Sequence, residues 1–186
     1  MGKIEFKPGN MVYPLPAVLV TVSDGEKDNV LTVAWTGTVC TNPPMAYISV
    51  RPERYSYDII KNSGEFVINL TTEALAKETD FCGVTSGRDV DKFEKCGFTK
   101  EKAEVVKAPL IKESPVNIEC KVRDAMEYGS HTMFVADVVK VHVDEDLLDE
   151  KGRFALEEAG LIVYSHGQYL TTGDVLGTFG YSVKKQ

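Results

Sequence analysis

Asn29-Val30-Leu31-Thr32-Val33-Ala34-Trp35-Thr36-Gly37-Thr38-Val39-Cys40-Thr41-Asn42-Pro43-Pro44 is the stretch whose reading decides the fold. It lies in the longest uncharged run of the chain, Val30 to Val50. On length alone that run can cross a bilayer. Thr32, Thr36, Thr38, Thr41, Asn42 and the pair Pro43-Pro44 spoil a membrane helix, because proline breaks the helical ladder and the threonines are polar. The β-branched residues fit two buried strands joined by a polar turn. Small residues at Ala34, Thr36, Gly37 and Thr38 would let backbone amides approach a flat heterocycle edge-on. A buried strand running into a threonine-rich loop, with no ligand, fits these residues equally well.

Working outward, Ala17 to Val22 is a short β-rich run, and Ser23 to Asn29 is turn-like by composition, so Ala17–Trp35 reads as a hairpin. Tyr47-Ile48-Ser49-Val50 is a third strand. Ser56 reads as a helix N-cap, with Tyr57 to Asn62 helical and Gly64 the exit. Phe66 to Leu70 is a fourth strand, and Thr72 opens a second helix that runs to about Phe81 and stops near Gly83. A turn of helix follows around Asp91 to Cys96. Strands at Val116–Val122 and His131–Val143 make the second half β-rich, with Met133, Val135, Asp137, Val139, Val141 and Val143 on one face. Short strands with two short helices point to a mainly β small barrel, not to a parallel α/β sheet.

The 186 residues fit one domain spanning 1–186, and 43% hydrophobic residues with 26% charged ones exclude disordered and collagenous chains. Acids outnumber bases 28 to 21, a net charge of −7, so no nucleic-acid partner is expected. Met1 to Phe6 lacks the apolar core of a signal peptide, and Phe6 makes a poor myristoylation site. A soluble, cytoplasmic chain with no membrane partner is the expectation. Cys40, Cys82, Cys96 and Cys120 form no CxxC pair, so no structural zinc is expected and the thiols read as buried and free.

None of the motifs GxSxG, HExxH, Walker A or GxGxxG occurs, and His131, His142 and His166 are scattered. Difficult chemistry on this chain would need a bound cofactor. The segment 29–44 resembles the N-x-x-T-x-A/S-W/P-x-G…PP pattern of FMN-binding split barrels in the flavin reductase-like family. The resemblance implies that Thr32, Ala34, Trp35, Thr36, Gly37, Thr38, Cys40 and Asn42 surround the isoalloxazine ring. Ser49 to Tyr57 opens a helix next to two arginines, and convergent donors at a helix start suit a phosphate. The family places its flavin phosphate near this segment, which implies contacts from Arg51, Arg54, Ser56 and Tyr57.

Asp80 to Phe93 resembles the family's C-(S/G)-x-x-S-G-x-x-x-D-K-F segment. That resemblance gives Ser86 and Lys92 as donors to ribityl hydroxyls or phosphate; Phe93 either packs on the ring or fills core, and Arg88 is a surface charge. Gly129 to Val138 resembles the G-D-H-x-x-x-x-G-E-V strand, with departures at Ser130, Ala136 and Asp137. His131 then becomes the residue that positions a nicotinamide, NADH or NADPH. His131 and Asp137 are roughly 20 Å apart along a strand and form no dyad; a polar partner at a subunit interface would account for Asp137.

The resemblance implies a mainly β, FMN-binding split β-barrel (Greek-key) with a few short helices, holding FMN tightly. It further implies a homodimer with the flavin near the interface, and Tyr164 to Tyr181 as an interface or flavin-covering element. Three functions stay open at this point. One is a reductase passing electrons from NADH or NADPH through FMN to free flavin, ferric iron or a partner protein. The second is a flavoredoxin-type electron carrier with no nicotinamide activity. The third is a non-redox ligand-binding barrel.

Overall fold

The computed structural model describes residues 2–183, and the sequence-based domain span of 1–186 includes ends that lie outside the described residues. In chain order the strands are β1 (Leu15–Pro16), β2 (Val18–Ser23), β3 (Asp28–Val33), β4 (Thr36–Thr41) and β5 (Pro44–Val50). Helix α1 (Tyr55–Ser63), β6 (Glu65–Leu70), α2 (Ala76–Val84) and α3 (Lys92–Cys96) follow. The rest comprises β7 (Lys100–Glu101), β8 (Leu110–Ile111), β9 (Val116–Tyr128), β10 (His131–Val143), β11 (Ile162–Ser165) and β12 (Gln168–Thr171).

Seven strands form one antiparallel sheet in the order β3-β2-β6-β9-β10-β5-β4. Its two edge strands, β3 and β4, are separated in sequence by only Ala34 and Trp35. Three Cα steps reach at most about 11 Å, so the sheet has to curl until its edges meet at that end. No β3–β4 pairing closes the cylinder, and the result is a split barrel with its seam at Ala34-Trp35. The mainly β expectation holds, with one refinement. The expected two strands over Val30–Val50 are parts of three, because the threonine-rich stretch is itself a strand, β4, paired with β5 from Thr36↔Ile48 to Thr41↔Pro44.

Strand β2 is buried throughout because it is covered on both faces. Val18, Val20 and Val22 point into the barrel with Leu31, Ile48, Phe66 and Phe134. Leu19 and Val30 face outward beneath α2 and α3, against Cys82, Phe93 and Phe98. This outer layer brings α2 and α3 against the start of β3, and that contact matters for the site.

Several local expectations are corrected. Ser56 does not cap α1: Arg54 occupies the cap position, and the Ser56 hydroxyl is turned inward to accept a hydrogen bond from Asn29 Nδ2 at 2.7 Å. Thr72 makes no side-chain cap; a 3₁₀ turn at Glu73–Leu75 precedes α2 instead. Helix α2 does stop near Gly83, at Val84, and a Cβ on Gly83 would sit 3.3 Å from Thr32 Cβ. The inward face of β10 is the even one, Thr132, Phe134 and Ala136, and Val141 and Val143 are exposed. Register shifts after Val135 and Val138 break the simple alternation. Asp137 finds its partner within the chain, 2.7 Å from Arg123 on β9.

One buried carboxylate fastens the long β8-side loop to the barrel. Glu119, with no exposed surface, accepts from the amides of Glu104 (2.9 Å), Val105 (2.7 Å) and Val106 (2.9 Å) and pairs with His142 Nε2 at 2.7 Å. Burial pushes its carboxyl up, but His142 and the three amides outweigh that and hold it below the ordinary glutamate value.

Candidate functional site

The seam opens a cavity of about 410 Å³, within the usual size range of small-molecule sites. Its wall is the backbone from Leu31 to Trp35, continued by Ser49 to Arg51 at the end of β5. Ser49 N donates to Trp35 O at 2.8 Å, which ties the seam to β5. Trp35 lies against the His131 ring, centroids 4.3 Å apart. His131 Nδ1 is 2.8 Å from Ser130 Oγ. Burial first, and the Arg51 charge second, pull its pKa below the ordinary histidine value, so the imidazole is neutral near physiological pH.

The opposite side of this cavity is aromatic and comes from a separate three-stranded sheet, β1-β11-β12. Pairing of Leu15 with Tyr164 brings Tyr13 within 6.3 Å of the Tyr164 ring, and Tyr164 in turn packs edge-on against Tyr169 at 5.6 Å. The Tyr169 hydroxyl meets Asp80 of α2, and burial followed by that carboxylate pushes the phenol up to about 12. It therefore stays a neutral donor.

A second, smaller cavity of about 170 Å³ shares Leu31, Arg54 and Val84 with the first. Its polar floor is buried: Asn29 is 4% exposed, Ser56 1% and Lys92 3%. The Lys92 ammonium donates to Val30 O and Cys82 O, both at 2.8 Å. Two of its three donors are thereby used, and the third is left for a ligand. Burial pulls the Lys92 pKa down to about 8, and nearby Arg54 adds to the shift. Arg54 is itself half-buried and shifted down by burial. Among the described residues no carboxylate forms an ion pair with Lys92 or Arg54. Two desolvated cations without a counter-charge make a costly arrangement that an incoming anion would relieve.

The structure gathers nine of the residues singled out from sequence around the two cavities and leaves seven elsewhere, with Arg54 common to both cavities. Thr32, Ala34, Trp35, Arg51 and His131 line the large one; Ser56, Ser86 and Lys92 line the small one. Gly37, Thr38, Cys40 and Asn42 lie on β4 or its turn, away from both. There Gly37 packs on Tyr47 and Cys40 Sγ donates to Pro43 O at 3.0 Å. Thr36 spends its hydroxyl on Tyr47 O at 2.7 Å. Tyr57 is core, its hydroxyl 3.0 Å from Thr132 Oγ1. Phe93 also settles as core, edge-on to Phe98. Cys82 and Cys96 have their sulfurs 3.8 Å apart behind Lys92; both are free, and burial raises both thiol pKa values.

Sequence reading missed Asn29, Gly83, Gly87 and Tyr13, and took in Tyr169 only as part of the Tyr164–Tyr181 element. Asn29 stood in the quoted motif, and its polar side chain at the start of a buried strand was the available signal. Tyr13 carried none, since only the long-range pairing of Leu15 with Tyr164 brings it here.

The chain matches the flavin reductase like domain over residues 10–173. It is 36% identical over 140 residues to an uncharacterised protein of Archaeoglobus fulgidus, covering 75% of this chain and 78% of that one. An NADH-dependent FMN reductase of Streptomyces nodosus subsp. asukaensis is 24% identical over 145 residues, 77% of each chain. Among solved structures, the flavoredoxin of Desulfovibrio vulgaris (Miyazaki F) superimposes with a TM-score of 0.91 at 29% identity, covering 98% of this chain and all of that one. The flavoredoxin of Methanosarcina acetivorans gives the same TM-score at 28% identity, covering 99% and 98%. The chain belongs to the flavin reductase-like family.

Proposed function

We propose that this member of the flavin reductase-like family is a redox protein that binds FMN across the two cavities. The observation that carries the reading is the pair of unpaired, desolvated cations, Lys92 and Arg54, beside Ser56 at the closed end of an otherwise aromatic groove. A planar ring with a phosphate on a flexible tail matches that sequence of environments. The backbone from Thr32 to Trp35 flanks the ring cavity, and Trp35, Tyr13, Tyr164 and Tyr169 supply apolar walls that exclude water. Lys92, Arg54 and Ser56 hold the phosphate. When bound, FMN supplies hydride acceptance and single-electron release, which no side chain here performs.

The open face of the large cavity carries Arg51 and neutral His131, and this is where NADH or NADPH would approach. A neutral imidazole offers one donor and one acceptor to an amide such as that of nicotinamide. The Ser130 hydroxyl, donor or acceptor as the tautomer requires, engages Nδ1 at 2.8 Å. A second reading, electron carriage without nicotinamide activity, is supported by the close superposition on two flavoredoxins. Anaerobic absorbance separates them: bleaching of the flavin band within seconds of adding NADH or NADPH supports the reductase, and a flavin that stays yellow supports the carrier. Free flavin, ferric iron or a partner protein would take the electrons. Exposed Phe6, Met11, Leu176 and Phe179 fit burial against a second copy, so a homodimer by light scattering is expected.

A further inference from the structure

One side of the small cavity is lined by the loop Thr85 to Arg88. Gly87 presses so closely on the floor that a Cβ there would lie 2.7 Å from Tyr55 Cδ1 and clash with the Asn29 amide. Next to it, the Arg88 side chain crosses the mouth. Its guanidinium sits 5.5 Å from the Tyr55 ring centroid, and Nη1 donates to Glu53 O at 3.1 Å. Arg88 and the Tyr55 ring beneath it both border the small cavity and the two hollows outside it, so together they form the partition between them. Those hollows are acidic: Asp24, Asp58 and Glu65 line one, and Glu26, Asp89 and Asp91 the other, outnumbering the lysines present.

We propose that Arg88 is a specificity residue, a latch that admits a flavin ending in a single phosphate and rejects one extended by a nucleotide. This rests on the FMN reading above. A dinucleotide such as FAD carries its adenylate on the phosphate that Lys92 and Arg54 would hold. Its chain would have to leave the small cavity through the Arg88 partition and set a second phosphate among carboxylates. Both the barrier and the like charge beyond it act against FAD, whereas the FMN phosphate stops on the near side, where Arg88 is one more cation bordering the small cavity. Arg88 is exposed and its ties are to one carbonyl and one ring, so truncation opens the passage without removing core.

Calorimetric titration of the full-length chain, wild type, Arg88→Ala and Arg88→Gln, with FMN, FAD and riboflavin tests this. The wild type should take FMN at least about 100-fold more tightly than FAD, and each variant should narrow that ratio by about tenfold or more. A wild type that holds FMN over riboflavin yet takes FAD equally well overturns the latch alone. So does an unchanged FMN-to-FAD ratio in both variants. A wild type that binds no flavin, or shows no preference for FMN over riboflavin, overturns the cofactor reading and the latch with it.

Discussion

The two ends of the groove are built differently. At the closed end, Asn29, Ser56 and Lys92 start β3, α1 and α3, and they are locked before any ligand arrives: amide to hydroxyl, ammonium to two carbonyls. At the open end, Trp35, His131, Tyr13 and Tyr164 are partly exposed and meet only through ring contacts. A preorganised polar pocket recognises charge, and a looser aromatic one recognises a flat shape. The closed end should therefore discriminate FMN from riboflavin, whereas the open end should treat both alike.

The sharpest way to break this contrast is Lys92→Met. FMN affinity should fall by about 100-fold, the scale of a lost charge-assisted hydrogen bond and ion pair, while riboflavin affinity stays put. The ligand-free melting temperature should change little, because removing a buried charge without a counter-ion offsets the loss of the donor to Val30 O and Cys82 O. Parallel weakening of both flavins would show that Lys92 merely supports the fold.

The same group sets a pH dependence. Its pKa is about 8 in the folded chain against an ordinary 10.5, so folding opposes its protonation. The penalty is full below about 8 and fades as pH rises to 10.5. Phosphate binding has the opposite sign, since it needs the ammonium. FMN affinity should be flat below about 8 and then weaken toward about tenfold per pH unit above it. Titrations across this range with Lys92→Met should lose that bend.

At the open end, Trp35→Ala should weaken FMN and riboflavin alike, by about tenfold, the scale of an aromatic stacking contact. A loss confined to FMN would contradict the division of labour. His131→Ala should slow reduction by NADH or NADPH more than it weakens FMN; equal rates in stopped flow would leave His131 a packing residue.

The smallest effect on binding should come from Glu119→Gln, remote from both cavities. It should lower stability by about 2 kcal/mol, because one amide oxygen replaces a carboxylate gripped by three backbone donors and His142. Glu119 is held below its ordinary pKa of 4.5, so its contribution is complete above that value and is lost as pH falls through the folded one. A melt in acid should therefore separate variant from wild type less than one at neutral pH.

What was legible in the sequence follows from how local each cause is. The strand His131–Val143 and the turn of helix around Asp91 to Cys96 were readable because their signals act within a few residues. Lys92 and Ser86 were legible only through a family pattern, since an isolated lysine gives no sign of burial. Which face of β10 turns inward was not readable: the even set Thr132, Phe134 and Ala136 alternates with the odd one, and only pairing with β5 and β9 decides which meets the core. Strand β4 escaped because an exposed edge strand with Gly37 and four threonines or cysteines carries no apolar period. Gly83 marked the end of α2 to within one residue, but its second role, the missing Cβ that makes room for Thr32, needs the tertiary contact to be seen.

The central claim is that the closed end is a phosphate site, and comparing FMN with riboflavin in calorimetric titration of the wild-type chain tests it most directly. FMN should bind at least about 100-fold more tightly, reflecting its phosphate on Lys92 and Arg54. Equal affinities, or no binding of either flavin, would contradict the account.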